Sequence, residues 1–323
     1  MIPNLDKGNH LKIQVLSGGI SHERDISLKS GRRVADALTD AGATVIIREP
    51  DENLFAHIEA DQPDVIWPTL HGASGEDGSL RDLLALSGVP YVGATADAAR
   101  LAWDKSIAKI LVQRAGIQTP PSVTLPKETF RELNADAVLK RISNSLSFPV
   151  VVKPARSGSA HGVTIVTDPE HLSRAMIDAY VYCDVAIIEK FIEGTELAIS
   201  VINQGAGPIA LPAVEIEPTS GKFGYDERTI AGETNYYVPA RLSEAVLNKA
   251  TDMAIAAHEE LGMRHLSRVD LIVDKQGVPW YLETNVAPGL TETSLLPQAI
   301  LATGQSLAAV YLALAEAALH GRG

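Results

Sequence analysis

Two carboxylates and a carboxamide stand close together near the C-terminus of this chain. A short hydrophobic strand is expected to end in Arg268-Val-Asp270, and a second strand over 278–282 runs into Glu283-Thr-Asn285-Val-Ala-Pro-Gly289. Oxygen ligands on rigid strand ends suit a hard cation. Mg²⁺ takes one or two protein carboxylates and keeps its other positions for water and phosphate oxygens. Asp270 and Glu283 therefore read as a Mg²⁺–nucleotide site, against the plainer reading of two surface carboxylates on a hairpin.

Four further stretches offer chemistry. Pro154-Ala-Arg-Ser-Gly158-Ser159-Ala-His-Gly162 is a loop whose glycines let backbone N–H groups turn toward an anion. Ser159 adds a hydroxyl, and Lys153 ends the strand before it. The loop suits a flap over phosphates, against the plainer reading of an ordinary Gly/Ser hairpin loop; no G-K-[ST] follows, so it is not a P-loop. Glu189 and Glu196 flank a turn between strands, where a carboxylate can meet ribose hydroxyls. His71-Gly-Ala-Ser-Gly75-Glu76-Asp-Gly78 puts polar groups at a strand-to-helix junction, although Glu76-Asp77 also fit a helix N-terminus. In Gly18-Gly19-Ile-Ser21-His22-Glu23, Ser21 reads as a helix N-cap, and Glu23 either suits the helix dipole in the first turn or holds a substrate ammonium. His22 reads as a surface histidine.

These residues need a scaffold. The chain has 323 residues, 46% hydrophobic and 21% charged, the profile of a globular protein with room for two or three domains. Its formal charge of −12 argues against broad binding to nucleic acid or anionic membrane. No apolar run is long enough to span a bilayer. With one cysteine, Cys183, and no basic-then-apolar N-terminal segment, the chain is expected in a reducing cytoplasm. Strands near 11–16, 44–47 and 64–67 alternate with helices near 23–41 and 80–86, which predicts a mostly parallel sheet with helices on both faces. Ligands bind such sheets at the carboxyl ends of the strands, where Gly18-Gly19 and His71-Gly72 fall. A helix is expected over 96–115, then a break at Pro120-Pro121. A hairpin (148–153 with 162–166), a helix over 170–180 and a strand over 186–192 read as a small α+β lid. Strands near 196–203, 210–217, 266–273 and 278–282, a helix over 242–261 and a last helix over 307–319 complete the pattern.

Taken in order, Gly18-Gly-Ile-Ser-His-Glu-Arg-Asp, His71-Gly-Ala-Ser-Gly-Glu-Asp-Gly, Asp104-Lys105, Val152-Lys-Pro-Ala-Arg-Ser-Gly-Ser and Glu283-Thr-Asn-Val-Ala-Pro-Gly-Leu-Thr resemble the D-alanine–D-alanine ligases, members of the ATP-grasp family. The resemblance implies an α/β ATP-grasp fold of three domains: an N-terminal parallel-sheet domain over 1–95, a central α+β lid over 96–188 and a catalytic domain over 189–323. It implies ATP as a substrate and two Mg²⁺ ions, for which Mn²⁺ can stand in, held by Asp270, Glu283 and Asn285. Lys105 and Lys153 would meet ATP phosphates under the Ser159 loop. Glu189, Lys190 and Ile192 would border the adenine, and Glu196 the ribose. Glu23 would anchor the first D-amino acid beside His71. Ser294 and Leu295 would meet the carboxylate of the second, and Arg268 with the Gly289 amide would bind the oxyanion. The expected product is a dipeptide for peptidoglycan, formed through an acyl phosphate. The expected partners are small molecules, with no nucleic acid or membrane, in a homodimer.

Some positions depart from the family. Ala160 and His161 follow Ser159 where a second serine is frequent, and Trp103 stands where methionine is usual. Asn285-Val replaces Asn-Thr. Arg228-Thr229 occupies the place of a Lys-Tyr pair that covers the site, with Tyr225 and Tyr236 as candidate substitutes. The second substrate therefore reads as D-alanine or as another D-amino or hydroxy acid. A non-catalytic nucleotide-binding homologue is the remaining reading, opposed by the joint presence of Arg268, Asp270, Glu283 and Asn285.

Overall fold

The structure is a computed structural model and describes residues 11–158, 161–218 and 234–321. Strand β1 (Lys12–Leu16) is almost wholly buried because it is the middle of a three-stranded parallel sheet, between β2 (Thr44–Arg48) and β3 (Val65–Pro68). Parallel neighbours need crossovers. Helices α1 (Arg24–Asp40) and α2 (Leu54–Asp61) supply them. Successive β1 side chains point to opposite faces. Ile13 and Val15 pack with Val34 and Leu38 of α1, whereas Leu16 packs with Leu54 and Ile58 of α2 and with Leu84 of α4 (Ser79–Leu86). The one-turn helix α3 (Ala73–Glu76) lies between β3 and α4.

Two local expectations change here. Ser21 is not the N-cap of α1. Glu23 holds that place, and the Ser21 hydroxyl instead donates to the His71 carbonyl at 2.9 Å, drawn across to the loop after β3. The single helix expected over 96–115 is two, α5 (Ala96–Trp103) and α6 (Lys105–Arg114). Asp104 separates them in an extended conformation, and its carboxylate accepts from the amides of Ser106 (3.1 Å) and Ile107 (3.3 Å). That cap starts a new helix at Lys105.

The central region is an antiparallel sheet in the order β4-β7-β5-β6: β4 (Ser122–Pro126), β7 (Val185–Lys190), β5 (Val150–Pro154) and β6 (Thr164–Val166). With α7 (Lys127–Glu132), α8 (Ala135–Ser145) and α9 (Leu172–Ala179) it forms a core of its own. Strand β4 and helices α7 and α8 add to the elements read from sequence.

The largest sheet has the path β11-β10-β8-β12-β13, with β9 (Pro208–Ala210) beside β8 (Gly194–Asn203). Its other strands are β10 (Val214–Pro218), β11 (Thr234–Tyr237), β12 (Leu266–Asp274) and β13 (Pro279–Asn285). Strand β12 does not stop at Asp270. Leu271 and Val273 are buried and carry it on to Asp274, so Asp270 is a mid-strand residue. Helix α10 (Glu244–Glu260) packs its alanine face on this sheet. Helices α11 (Leu295–Ala302) and α12 (Leu307–Leu319) return to the N-terminal sheet, where Tyr311 meets Trp67 edge-on at 5.3 Å. One core thus joins the two ends of the chain, while the central region keeps its own. No single helix among the described residues is long and apolar enough to cross a membrane. The apolar pair α11 and α12 is bent by 108°, and both helices bury apolar residues in this core.

A buried histidine on α10 carries a clear pH signature. His258 on α10 is buried, with Nδ1 2.7 Å from the Ser267 hydroxyl. Burial, reinforced by His265, pushes its pKa down to about 4 from 6.5. The unfolded chain therefore binds the extra proton between pH 6.5 and 4, and stability falls as pH drops through that window. The expected loss is on the order of 3 kcal/mol. Urea denaturation at pH 7.5, 5.5 and 4.5 should show it, and His258→Gln should flatten this component of the slope.

Candidate active site

The carboxylates proposed to bind metal face each other across one rung of the large sheet. Asp270 on β12 pairs in register with Glu283 on β13, and Arg268 pairs with Asn285. Each carboxylate has a cation. Arg268 binds Asp270 through two parallel hydrogen bonds, Nε to Oδ1 at 2.7 Å and Nη2 to Oδ2 at 2.8 Å. Lys105 Nζ lies 3.0 Å from Glu283 Oε2 and donates to the Ser157 carbonyl at 2.7 Å. Burial works against the Arg268 charge, but Asp270 more than offsets it and raises the guanidinium pKa. Arg268 spends two of its five N–H groups on Asp270, so three remain for a ligand.

Lys105 owes its position to the Asp104 cap, and its own amide donates to Ala155 O of the central region at 2.9 Å. The rung opens into a cavity of about 810 Å³, within the range of small-molecule sites. Ten of the residues picked out from sequence line it: Glu23, His71, Lys105, Arg268, Asp270, Glu283, Asn285, Gly289, Ser294 and Leu295. Tyr236 and Trp103 line it as well.

Glu23 reaches the cavity between two glycines. A Cβ on Gly158 would lie 2.7 Å from its Oε2, and one on Gly72 would lie 3.1 Å away. The central loop thus comes against the N-terminal region only because position 158 has no side chain. Gly289 has the same reason, since a Cβ there would meet Ser294 Oγ at 2.7 Å. Ser294 Oγ accepts from the Thr291 amide at 3.0 Å and leaves α11 without a side-chain cap.

His71 is buried and its pKa is lowered by burial, so the ring is neutral. Its Nδ1 lies 3.0 Å from the Ala287 carbonyl, which can only accept, so the proton sits on Nδ1. Its Nε2 then accepts from the Ser30 hydroxyl at 3.3 Å, while Ser30 Oγ accepts from the Leu290 amide at 3.2 Å. His71 therefore ties α1 and the β3 loop to the segment after Asn285. With both nitrogens engaged, it acts as a strut rather than a general base.

The expected adenine and ribose residues do not line this cavity. Glu189 and Lys190 end β7, Ile192 is buried just beyond, and Glu196 is buried on β8. Glu196 pairs in register with Ile216, which does line the cavity. Lys153 Nζ lies 2.6 Å from Glu189 Oε1. The sequence reading missed Lys109, whose Nζ lies 2.7 Å from Glu189 Oε2. Its signal was present, one helical turn after Lys105. Ser159, Tyr225, Arg228 and Thr229 lie outside the described residues.

Among the described residues no three His, Cys, Asp or Glu side chains gather as a metal site. The set on the rung is two carboxylates and a carboxamide, all hard oxygen donors. It fits Mg²⁺, which retains water and phosphate oxygens in its other positions.

A family model described as D-ala D-ala ligase C-terminus matches residues 111–315. The chain belongs to the D-alanine–D-alanine ligase family. It is 36% identical over 313 residues to the D-alanine–D-alanine ligase of Pelotomaculum thermopropionicum, covering 97% of this chain and 98% of that protein. It is also 36% identical to a Pseudomonas putida D-alanine–D-alanine ligase, covering 97% and 94%. Two solved structures share the fold. The VanG D-Ala:D-Ser ligase from Enterococcus faecalis superposes with a TM-score of 0.81 at 28% identity, covering 94% of this chain and 98% of that one. The Bacillus anthracis D-alanine–D-alanine ligase complexed with ATP gives 0.79 at 27%, covering 96% and 98%. The fold is thus that of an ATP-grasp ligase, as the sequence motifs implied.

One buried acid of the family's His-Gly block offers a test. Glu76 accepts from the Gly72 amide at 2.8 Å, and burial, with Glu23 nearby, pushes its pKa up to about 8 from 4.5. Its stabilising effect is complete below pH 4.5 and is lost as pH rises through 8. Glu76→Gln keeps the acceptor without the charge. Its melting temperature should exceed the wild type's, with the gap widening from pH 5 to pH 8.5; a gap that narrows would refute the protonated state.

Proposed function

We propose that this protein is an ATP-dependent ligase joining two D-alanine molecules, working on small molecules in the cytoplasm as a homodimer and supplying the dipeptide of peptidoglycan. The observation that carries the reading is the Asp270–Glu283 rung, with Arg268 and Lys105 on it and Glu23 across the same cavity. The acidic net charge agrees with a role apart from nucleic acid.

A carboxylate is a poor electrophile at neutral pH. In the proposed reaction an oxygen of the first D-alanine attacks the γ-phosphorus of ATP, the β–γ P–O bond breaks and ADP leaves. The acyl phosphate then accepts the amine of the second D-alanine at its carbonyl carbon. Phosphate departs with the C–O electrons, and the amine loses a proton. Glu23 holds the first ammonium in place. Lys105 and Lys153 carry positive charge toward the phosphates, and Glu189, Lys190, Ile192 and Glu196 border the nucleoside. Asp270, Glu283 and Asn285 would hold Mg²⁺, in two sites, which supplies charge that neutralises phosphate oxygens. The free N–H groups of Arg268 and the Gly289 amide meet the tetrahedral oxyanion; one such donor is worth about 3–4 kcal/mol. Enclosure by the central region keeps water from the acyl phosphate.

A second reading has the same chemistry with a different second substrate. It is favoured by the similarity to a D-Ala:D-Ser ligase and by the Arg228-Thr229 departure. Phosphate release with ATP, Mg²⁺ and a panel of D- and L-amino acids and D-lactate, with products identified by mass, separates the two. D-Ala–D-Ala is the expected product, and a different dipeptide or depsipeptide in its place selects the second reading. Glu283→Gln and Asp270→Asn should each abolish turnover with the melting temperature largely kept. Near-normal turnover in both would refute the role of the rung.

A further inference from the structure

Glu189 is a buried carboxylate held by two lysines, and the two are not equivalent. Lys109 Nζ binds Oε2 at 2.7 Å and also donates to the Pro120 carbonyl at 3.1 Å. Lys153 Nζ binds Oε1 at 2.6 Å, its one partner among the described residues. Lys109 is buried on α6, which is pinned one turn earlier where the Lys105 amide bonds Ala155 O. Lys153 sits near the end of β5, where the chain enters the loop toward Gly158. Burial works against a charge on Glu189, and the two lysines together still hold its carboxyl below the ordinary range. The cluster carries two positive charges against one negative. One lysine is therefore surplus to neutrality, and the singly bonded Lys153 is the one able to leave.

We propose that Lys109 is a positioning residue for the nucleotide: it stays on Glu189 as the resident counter-ion, so that Lys153 can turn from Glu189 to an ATP phosphate. The proposal rests on the ATP-binding reading of the site. Without Lys109, Lys153 would be the only partner of a buried carboxylate among the described residues. Its departure would strand that charge, a state that buried ion pairs strongly disfavour. The carboxylate would then take up a proton when Lys153 left, and nucleotide binding would become coupled to proton uptake. With Lys109 present, Glu189 keeps its charge in both states and no such proton is needed.

Titration calorimetry of the full chain with a non-hydrolysable ATP analogue and Mg²⁺ tests this, in buffers of different ionisation enthalpy at pH 6 and 8. Lys109→Met should weaken nucleotide binding by roughly 10- to 100-fold. Its affinity should improve from pH 8 to pH 6 with about one proton taken up, beyond any wild-type uptake. The KM for amino acid should stay within about twofold and Lys109→Arg should restore the wild-type proton balance, neither of which a general loosening of the fold would give. The neutral background guards against a variant that fails to fold. In Glu189→Gln there is no charge to strand, so adding Lys109→Met should cost no further nucleotide affinity. Equal losses in both backgrounds, or Lys109→Met binding the nucleotide like the wild type, would overturn the proposal. A wild-type protein that binds no ATP analogue would instead refute the nucleotide reading itself.

Discussion

The pairing of Asp270 with Glu283 across adjacent strands is the constraint around which the molecule is arranged. Two carboxylates side by side in a sheet repel each other, and Asp270 is buried. The sheet tolerates them because Arg268 and Lys105 neutralise one each. Those cations arrive by different routes. Arg268 is two residues along the same strand and therefore on the same face. Lys105 comes from a separate helix whose start is set by Asp104 and whose first amide is tied to the central sheet. The charge balance of the rung thus depends on α6, which is held by Ala108 and Val112 in the core of the large sheet and by the Lys105 amide on Ala155 O. The two cations balance the two carboxylates, so the rung is neutral as it stands.

The mechanical layout follows from which cores are shared. The N-terminal sheet and helices α11 and α12 are one packed unit, with Trp67 against Tyr311. Glu23, His71, Gly289 and Ser294 all belong to that unit or to the loop His71 holds. The central region has a separate core and meets the rest through α6 and the approach of Gly158 to Glu23. The groups proposed for the amino acid thus lie around one shared core, while Lys153 belongs to the central sheet and Lys105 to α6, whose Ala108 and Val112 pack in the core of the large sheet. A neutral, doubly bonded His71 suits that division, because a strut must not change its bonding with each proton.

Much of the site was readable from residue order, and the misses have physical causes. The carboxylates, Lys105, Lys153 and the glycines stood in motifs whose chemistry is local. Asp270 was read as closing a strand although a strand was also expected over 266–273, and β12 follows the longer span, with Leu271 and Val273 buried in the core. Ser21 looked like a cap, and its hydroxyl went to a carbonyl fifty residues away. The break at Asp104 was hidden because helix-forming residues flank it on both sides. Lys109 went unnoticed because a lysine on a helix is ordinarily solvated, and only the arrival of Glu189 from β7 makes it a buried ion. Strand β4 and helices α7 and α8 have their apolar residues spread over short stretches, where periodicity is weakest.

Recognition of the second substrate divides into a part common to all amino acids and a part that chooses among them. Ser294 occupies the N-cap of α11 but turns its hydroxyl back to Thr291, so no Ser294 side-chain bond covers the first-turn amides. A carboxylate met by main-chain amides and the helix dipole is accepted whatever side chain accompanies it. Such a contact gives affinity without discrimination. Discrimination requires side chains on another wall of the cavity, and Ile216 and Tyr236 are in place there, on β10 and β11. These two strands are joined by residues 219–233, the stretch that carries Arg228 and Thr229. Of the departures from the family pattern, Arg228-Thr229 falls on the segment joining β10 and β11, whereas those at Trp103, Ala160-His161 and Val286 lie elsewhere in the chain. Under the proposed reaction, a change of second substrate leaves the rung and His71 untouched.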